Sequence, residues 1–248
     1  MPQQKNRKIR KRSMLYAPLS FLLVCIVLML GFSVFFRVAE IEVLGAGYYT
    51  AEEILEASGI EKGDNLFFIN RSAVSSRIYA RLPYAENVKV SRNLPNRVTL
   101  ELTESLAVAC VATEDGIWAI DRNCKLLNEV EGDALDGLIR VDGLVPLEPE
   151  AGEILAPEES ETPKVKYLTE ILTQVVRLDL RGRISYIDIN GISNPSFDYL
   201  GRFTVKLGTN ENVEYKFQCL LSAVEALNEG DRGTLDLSID KRVHLTYD

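Results

Sequence analysis

The stretch AENVKVSRNLPNRVTLELT, residues 85–103, decides the fold. Apolar and polar side chains alternate in two runs, Val88 and Val90 in the first and Val98, Leu100 and Leu102 in the second. A period of two marks half-buried strands. Leu94, Pro95 and Asn96 lie between the runs as a turn, so 85–92 and 97–103 are predicted to form a hairpin. Upstream, Pro83 stops a helix predicted over 72–82, whose Val74, Ile78 and Leu82 recur four apart on one face. Before it, Thr50 and Glu53 have capping-box spacing and open another helix, with Ile54 and Leu55 as its apolar stripe and Gly59 as its stop. Earlier still, Ile41 and Val43 alternate with Glu40 and Glu42 in a strand ended by Gly45 and Gly47. Residues 37–105 thus read as a small, complete β-α-α-β-β domain.

Residues 106–248 read as a second domain, β-rich with two helices and a mainly antiparallel sheet. Strands are expected over 106–112, 117–121, 125–130 and 138–141. Between Val145 and Pro163 come six Glu, four Pro and no basic residue, an acidic loop with at most weak structure. Thr162 and Pro163 suit the N-cap and first position of a helix to about Leu180, with Val165, Leu168, Leu172, Val175 and Val176 inward and Gly182 as its stop. Strands at 185–189 and 203–207 flank a turn at Asn194-Pro195. A second helix places Val213, Phe217, Leu220, Leu221, Val224 and Leu227 at helical spacing. The chain closes with a hairpin: Leu235, Leu237 and Ile239 alternate, Asp240-Lys241 can turn, and Val243, Leu245 and Tyr247 alternate again.

Ahead of both domains, residues 15–36 form a 22-residue apolar run, roughly 33 Å as a helix at ~1.5 Å per residue, against a hydrocarbon core of ~30 Å. Pro18 falls in its first turn. Lys5, Arg7, Lys8, Arg10, Lys11 and Arg12 precede it with no acidic residue among them. The positive-inside rule then keeps residues 1–14 cytoplasmic and exports the body across the membrane. A cleaved signal peptide would have a shorter apolar region. Gly31-Phe-Ser33 has the spacing of a cleavage site, but Val34, Phe35 and Phe36 continue the run past it, so a retained single-pass anchor is expected. The whole chain carries 28 basic and 36 acidic residues. With six basic groups in the tail, residues 13–248 hold 22 basic against 36 acidic, a net of −14. So acidic a body repels phosphate, which speaks against nucleic acid as a partner.

No group of residues marks an active site. Gly45-Ala-Gly47 sits where a dinucleotide fingerprint would, but the third glycine and the parallel βαβ unit are missing, so it reads as a turn before a helix cap. Ser238-Ile-Asp-Lys241 has S-x-x-K spacing, yet on a strand end and without companion motifs. His244, the single histidine, alternates onto the polar face of the last strand and has no grouped metal ligands or triad partners. Asn70-Arg-Ser72 matches a glycosylation sequon but is better read as the cap of the second helix. Carboxylates cluster in solvated loops without apolar neighbours to raise a pKa. Cys25 lies in the apolar run, leaving Cys110, Cys124 and Cys219. Cys110 and Cys124 could pair if geometry allows; small buried hydrophobes is the plainer reading. No catalytic residue, cofactor, metal or small-molecule substrate is expected.

A basic tail, one span, a β-α-α-β-β module and a β-rich second domain resemble the FtsQ/DivIB family of bacterial division proteins, the small domain being its FtsQ-type POTRA module. The echoes run in family order: Val38–Gly45, Leu82-Pro83, Val88-Lys-Val90-Ser-Arg92 with Pro95, and Val98-Thr-Leu-Glu-Leu-Thr-Glu104 leading to Val108-Ala109. Gly116-Ile-Trp118-Ala-Ile-Asp121, Gly143, Gly208 with Lys216, and Leu235-Asp236-Leu237 follow. Ala107 stands where the family usually has proline, and Cys124 where a turn glycine is common. The resemblance implies a non-enzymatic scaffold at the division septum. It would link septal-ring components to the septal peptidoglycan synthesis complex and bind FtsB/DivIC-type and FtsL-type proteins through the edge of the second domain. An edge strand can accept a partner strand, which points to the last hairpin: Leu235, Leu237, Ile239, Val243, His244, Leu245, Thr246 and Tyr247. Val243, Leu245 and Tyr247 can equally seal the domain's own core, and for the side chains that reading is preferred. Three alternatives stand beside the scaffold. One is another POTRA-containing assembly or secretion factor; another is a bitopic cell-wall enzyme. A sensor is the third, although about 14 cytoplasmic residues cannot supply an output domain.

Overall fold

The computed structural model describes residues 10–239 and 243–247, with side chains from 18 onward except at 32–34. It divides into two compact units. One comprises the chain to Arg81 with Glu86–Thr103; the other comprises Leu82–Ala85 with the chain from Glu104.

In the first unit, α1 (Arg10–Phe35) is 26 residues long with Pro18 inside it. Among the described residues no helix is long and apolar enough to cross a membrane. Along the described part of α1, Leu19, Phe21, Leu22, Leu23 and Val24, then Ile26 to Leu30, are apolar and exposed. After it come β1 (Glu40–Leu44), α2 (Ala51–Ser58), α3 (Arg71–Arg81), β2 (Ala85–Asn93) and β3 (Arg97–Glu104). The sheet order is β1-β3-β2, with β1 parallel to β3. A parallel pair needs a long crossover, which α2 and α3 provide.

Local chemistry explains the ends of these elements. Thr50 Oγ1 accepts from the Glu53 amide at 3.2 Å, and the Glu53 carboxylate accepts from the Thr50 amide at 2.8 Å, a reciprocal cap on α2. Those bonds hold the Glu53 carboxyl below the usual carboxylate range. Gly59 ends α2 in the left-handed conformation. Asn70 Oδ1 accepts from the Ala73 amide at 3.2 Å, so it caps α3 as its position suggested. Gly45 has a φ of 81°, and a Cβ there would collide with the Leu102 carbonyl oxygen, so this glycine serves a turn. Ile54, Leu66, Ile78, Val98 and Leu100 are buried at the centre of the unit.

The second unit is one nine-stranded mixed sheet with two helices. Its strands are β4 (Ala109–Ala112), β5 (Ile117–Ile120), β6 (Leu126–Glu129), β7 (Ile139–Asp142), β8 (Tyr186–Asp188), β9 (Ser196–Tyr199), β10 (Phe203–Lys206), β11 (Gly233–Asp236) and β12 (His244–Tyr247). They lie in the order β12-β11-β10-β9-β8-β7-β4-β5-β6. Parallel pairs occur at β4/β7, β7/β8 and β10/β11. Helix α4 (Thr162–Arg177) supplies the crossover from β7 to β8, and α5 (Val213–Glu225) the crossover from β10 to β11. Both helices bury their apolar stripes in the same core. Leu168, Ile171, Leu172 and Val175 come from α4, Phe217 and Leu220 from α5, meeting Ile139, Val141, Ile187, Phe197, Val205 and Leu235 of the sheet. Phe197 and Phe217 stack with centroids 5.6 Å apart.

Some boundaries differ from the sequence reading, for identifiable reasons. Thr162 is the first residue of α4; Glu161 precedes it as N-cap without a side-chain cap bond and instead pairs with Lys164 at 2.6 Å. The helix ends at Arg177, before Gly182, because Asp179 turns left-handed at a φ of 52° and returns Leu180 to the core. Strand β9 lies between the Asn194-Pro195 turn and the strand expected over 203–207, where four residues carry too short an alternation to mark a strand. Tyr167, also on α4, is fully buried and donates to the Thr209 carbonyl at 2.8 Å. The acidic loop is anchored by Leu155, which is buried. All four cysteines are free. Cys124 stands at a φ of 59°, which explains why a glycine suits that turn, and its Sγ lies 3.3 Å from Thr169 Oγ1. Burial pushes its thiol pKa up to about 12.

Replacing Phe217 with Ala removes a fully buried ring from this core and should cost about 3–5 kcal/mol of stability, read as a lower urea midpoint for the second unit. A loss below about 1 kcal/mol would contradict the packing described.

Candidate functional site

An open sheet exposes two rows of unpaired backbone groups, and the sheet of the second unit treats its two edges differently. At one edge, β6 is met by the acidic loop. The Leu126 amide donates to the Glu153 carbonyl at 2.8 Å, the Gly152 amide to the Leu126 carbonyl at 2.8 Å, and the Leu155 amide to the Cys124 carbonyl at 2.8 Å. Lys125 and Ile154 form an antiparallel bridge in the same place. The acidic loop, expected to have at most weak structure, therefore pairs with the start of an edge strand.

At the other edge stands β12, paired antiparallel with β11: Gly233 opposite Tyr247, Thr234 opposite Thr246, Leu235 opposite Leu245, and Asp236 opposite His244. Among the described residues, nothing pairs with the far side of β12. The expected residues divide by burial. Leu235 and Leu237 belong to the core, and Val243 and Leu245 pack against it partly buried. His244 and Thr246 face solvent, as alternation requires. Tyr247 is 63% exposed, so it does not help to seal the core. Ile239 is exposed as well. Asp240 and Lys241, the expected turn, lie outside the described residues, and with them the lysine of the S-x-x-K spacing. Exposed His244 and Thr246 on one face of β12 and Tyr247 on the other flank a backbone edge that has no partner among the described residues, so a strand added there would meet these side chains. Within the described residues no group of histidine, cysteine and carboxylate side chains could hold a metal ion.

Several residues outside the hairpin hold it in place, and sequence reading noticed only some of them. Gly208 packs against Ser238, with a Cβ there 2.7 Å from the Ser238 Cα. The Lys216 ammonium donates to the Thr209 carbonyl at 2.7 Å, and the Leu237 amide to the Lys206 carbonyl at 2.8 Å. Asp236 accepts from the Ser238 amide at 2.8 Å. Hydrogen bonding from Ser238, opposed by partial burial and aided by the charges of Lys206 and His244, holds the Asp236 carboxyl below its ordinary value. Gly233 was not singled out beforehand. It sits within β11 at a φ of 143°, where a Cβ would strike the Thr246 carbonyl oxygen, so β12 approaches this closely only over a glycine. The signal available in the sequence was a glycine opening an alternating run, which marks close backbone approach.

A three-stranded β-α-α-β-β module with its first strand parallel to its last is the architecture of a POTRA domain, followed here by a mixed sheet whose terminal strand has no partner on its far side among the described residues. Residues 36–105 match the family described as POTRA domain, FtsQ-type. The sequence is similar to cell division protein DivIB of Clostridium botulinum (strain Hall), 23% identical over 96% of this chain and 91% of that protein. It is also similar to DivIB of Clostridium tetani, 23% identical over 88% of this chain and 83% of that one. A shorter match, 36% identical over 43% of this chain and 47% of its counterpart, is to cell division protein FtsQ of Corynebacterium glutamicum. The chain thus carries an FtsQ-type POTRA domain and resembles, over most of its length, cell division proteins named DivIB.

Gly233→Ala should push β12 away from β11 and cost more than about 1 kcal/mol, since Ala is strained at positive φ. The expected reading is faster amide exchange at His244 and Thr246, whose backbones face β11, with core amides of α4 unchanged; unchanged exchange at those two positions would refute the close approach.

Proposed function

We propose that this chain is a membrane-anchored, non-enzymatic scaffold of the bacterial divisome, linking septal-ring components to the septal peptidoglycan synthesis complex through protein contacts. The observation that carries the reading is the unequal treatment of the two sheet edges: the chain's own loop pairs with the start of β6 at Leu126, while among the described residues nothing pairs with the far side of β12. A protein that spends sequence on blocking one edge keeps the other for a partner. The relatives named above are division proteins. In this reading an FtsB/DivIC-type protein, paired with an FtsL-type one, adds a strand to β12, while Ile239 and Tyr247 supply apolar contact. Leu235, Leu237, Val243 and Leu245 act from behind, by fixing the strand to the core.

The anchor belongs to the same proposal. Helix α1 has 26 residues, about 39 Å at ~1.5 Å per residue, and the described part turns large apolar side chains outward all around. A helix apolar on every side suits hydrocarbon and not water. Orientation follows from the six basic residues before it, which place the tail in the cytoplasm and the two domains outside, with the protein gathered at the division septum.

Two outcomes test the proposal. The Gly233 and Leu237 amides bond to β10, so Thr234 and Asp236 face Thr246 and His244, and the outward donors of β12 belong to Leu245 and Tyr247. Tyr247→Pro removes one of them; with the circular dichroism of the fold intact, affinity for the FtsB/DivIC-type partner should fall about tenfold or more below that of Tyr247→Ala, the ~1.4 kcal/mol of roughly one backbone hydrogen bond. Affinity equal to that of Tyr247→Ala would eliminate the edge as the binding surface. Separately, a fluorescent fusion should concentrate at midcell in dividing cells, whereas an even distribution around the envelope would favour a POTRA-bearing assembly factor.

A further inference from the structure

The sequence Asp64-Asn-Leu-Phe-Phe-Ile69 is folded in a way that its composition does not explain. Leu66 and Ile69 are buried in the POTRA core, yet the two rings between them are turned outward: Phe67 is 51% exposed and Phe68 85% exposed, the highest value among the large apolar residues outside it. The exposure is built in. Asn65 makes a turn in which its Oδ1 accepts from the Phe67 amide at 2.9 Å and its carbonyl from the Phe68 amide at 3.0 Å. With buried anchors on both sides, the turn holds the rings out.

What lies beside them is the end of α1. The Leu66 amide donates to the Phe36 carbonyl at 2.9 Å, the Val38 amide to the Asp64 carbonyl at 2.8 Å, and the Gly63 amide to the Val38 carbonyl at 2.8 Å. Arg37 and Asn65 form an antiparallel bridge. The loop is thus zipped to the first three residues after the helix. The rings are continuous too: Phe35 and Phe36 meet edge-on at 5.1 Å, and Phe36 and Phe67 at 5.0 Å. Phe35, the last residue of α1, is itself exposed.

We infer that the Phe67–Phe68 turn docks into the membrane–water interface, where it pins the POTRA domain to the outer surface of the lipid bilayer. The inference rests on the reading of α1 as a membrane span. Given that reading, the helix end emerges at headgroup level, since about 39 Å of helix exceeds the ~30 Å hydrocarbon core and approaches the ~40–45 Å of the whole bilayer. A loop hydrogen-bonded to residues 36–38 sits at that same level. Aromatic rings are favoured there, where an apolar body is shielded and the adjoining backbone stays hydrated. A lipid surface is the occupant to which the chain's own connectivity brings these rings; a protein ligand has no such argument.

The test uses the full chain in vesicles of phosphatidylethanolamine and phosphatidylglycerol. Trp118 is the single tryptophan, so Trp118→Phe gives a silent background. In that background, Phe68→Trp should emit at shorter wavelength than in detergent-free denaturant and be quenched by lipids brominated near the headgroup, less by lipids brominated near the chain ends. Leu23→Trp, in the middle of α1, should show the opposite depth preference. An indole at 68 that is unquenched while the one at 23 is quenched overturns the docking and leaves the anchor standing; this holds even if its emission is blue-shifted, because protein would then be the shield. If neither is quenched, the anchor itself is wrong and the docking falls with it.

Discussion

Every backbone amide and carbonyl in a sheet needs a partner or water, and this requirement organises the second domain. Nine strands leave two unsatisfied rows. The loop after β7 returns to β6 and pairs with it through Leu126, using carbonyls and amides near Gly152 and Glu153. No such return exists for β12 among the described residues. The edge that remains is short, and its pairing with β11 depends on a glycine where any Cβ would meet the opposing carbonyl. Short edge strands are a known guard against indiscriminate pairing. A four-residue strand backed by Leu235 and Leu237 offers enough backbone for one specific partner and little for self-association.

The helices serve that edge at a distance. Parallel strand pairs are possible only because α4 and α5 cross over the sheet, and their buried stripes give the core its depth. Tyr167 on α4 and Lys216 on α5 both reach the carbonyl of Thr209, and the neighbouring Gly208 sits against Ser238 at the exit of β11. The polar groups of the core thus converge on the base of the terminal hairpin. In the first unit the comparable device is the zipper between residues 36–38 and the 63–66 loop, which ties the POTRA fold to the end of α1.

Much of this was legible in the chain itself, wherever a local rule governs. The capping box at Thr50 and Glu53, the Asn70 cap, the Leu94–Asn96 turn and the amphipathic stripes of α4 and α5 all need only near neighbours. The alternation of 243–247 also put His244 and Thr246 on the solvent side. Where longer-range forces decide, the reading slipped. Leu180 is drawn into the core and ends α4 at Asp179 before Gly182 can act, and Tyr247 stays exposed although it continues the alternation of Val243 and Leu245.

By itself, then, the sequence determined most of the element order, the caps at Thr50 and Asn70, the Leu94–Asn96 turn, the acidic body and the resemblance to FtsQ/DivIB proteins, because each follows from spacing, composition or ordered motifs along the chain. Only the tertiary structure decided which strands are neighbours, that the acidic loop pairs with the start of β6, that β12 is an edge among the described residues, and that Phe67 and Phe68 project beside the end of α1. Those are facts of strand order and long-range hydrogen bonding, and period-two alternation reports which face a side chain takes while saying nothing about what lies beside the strand.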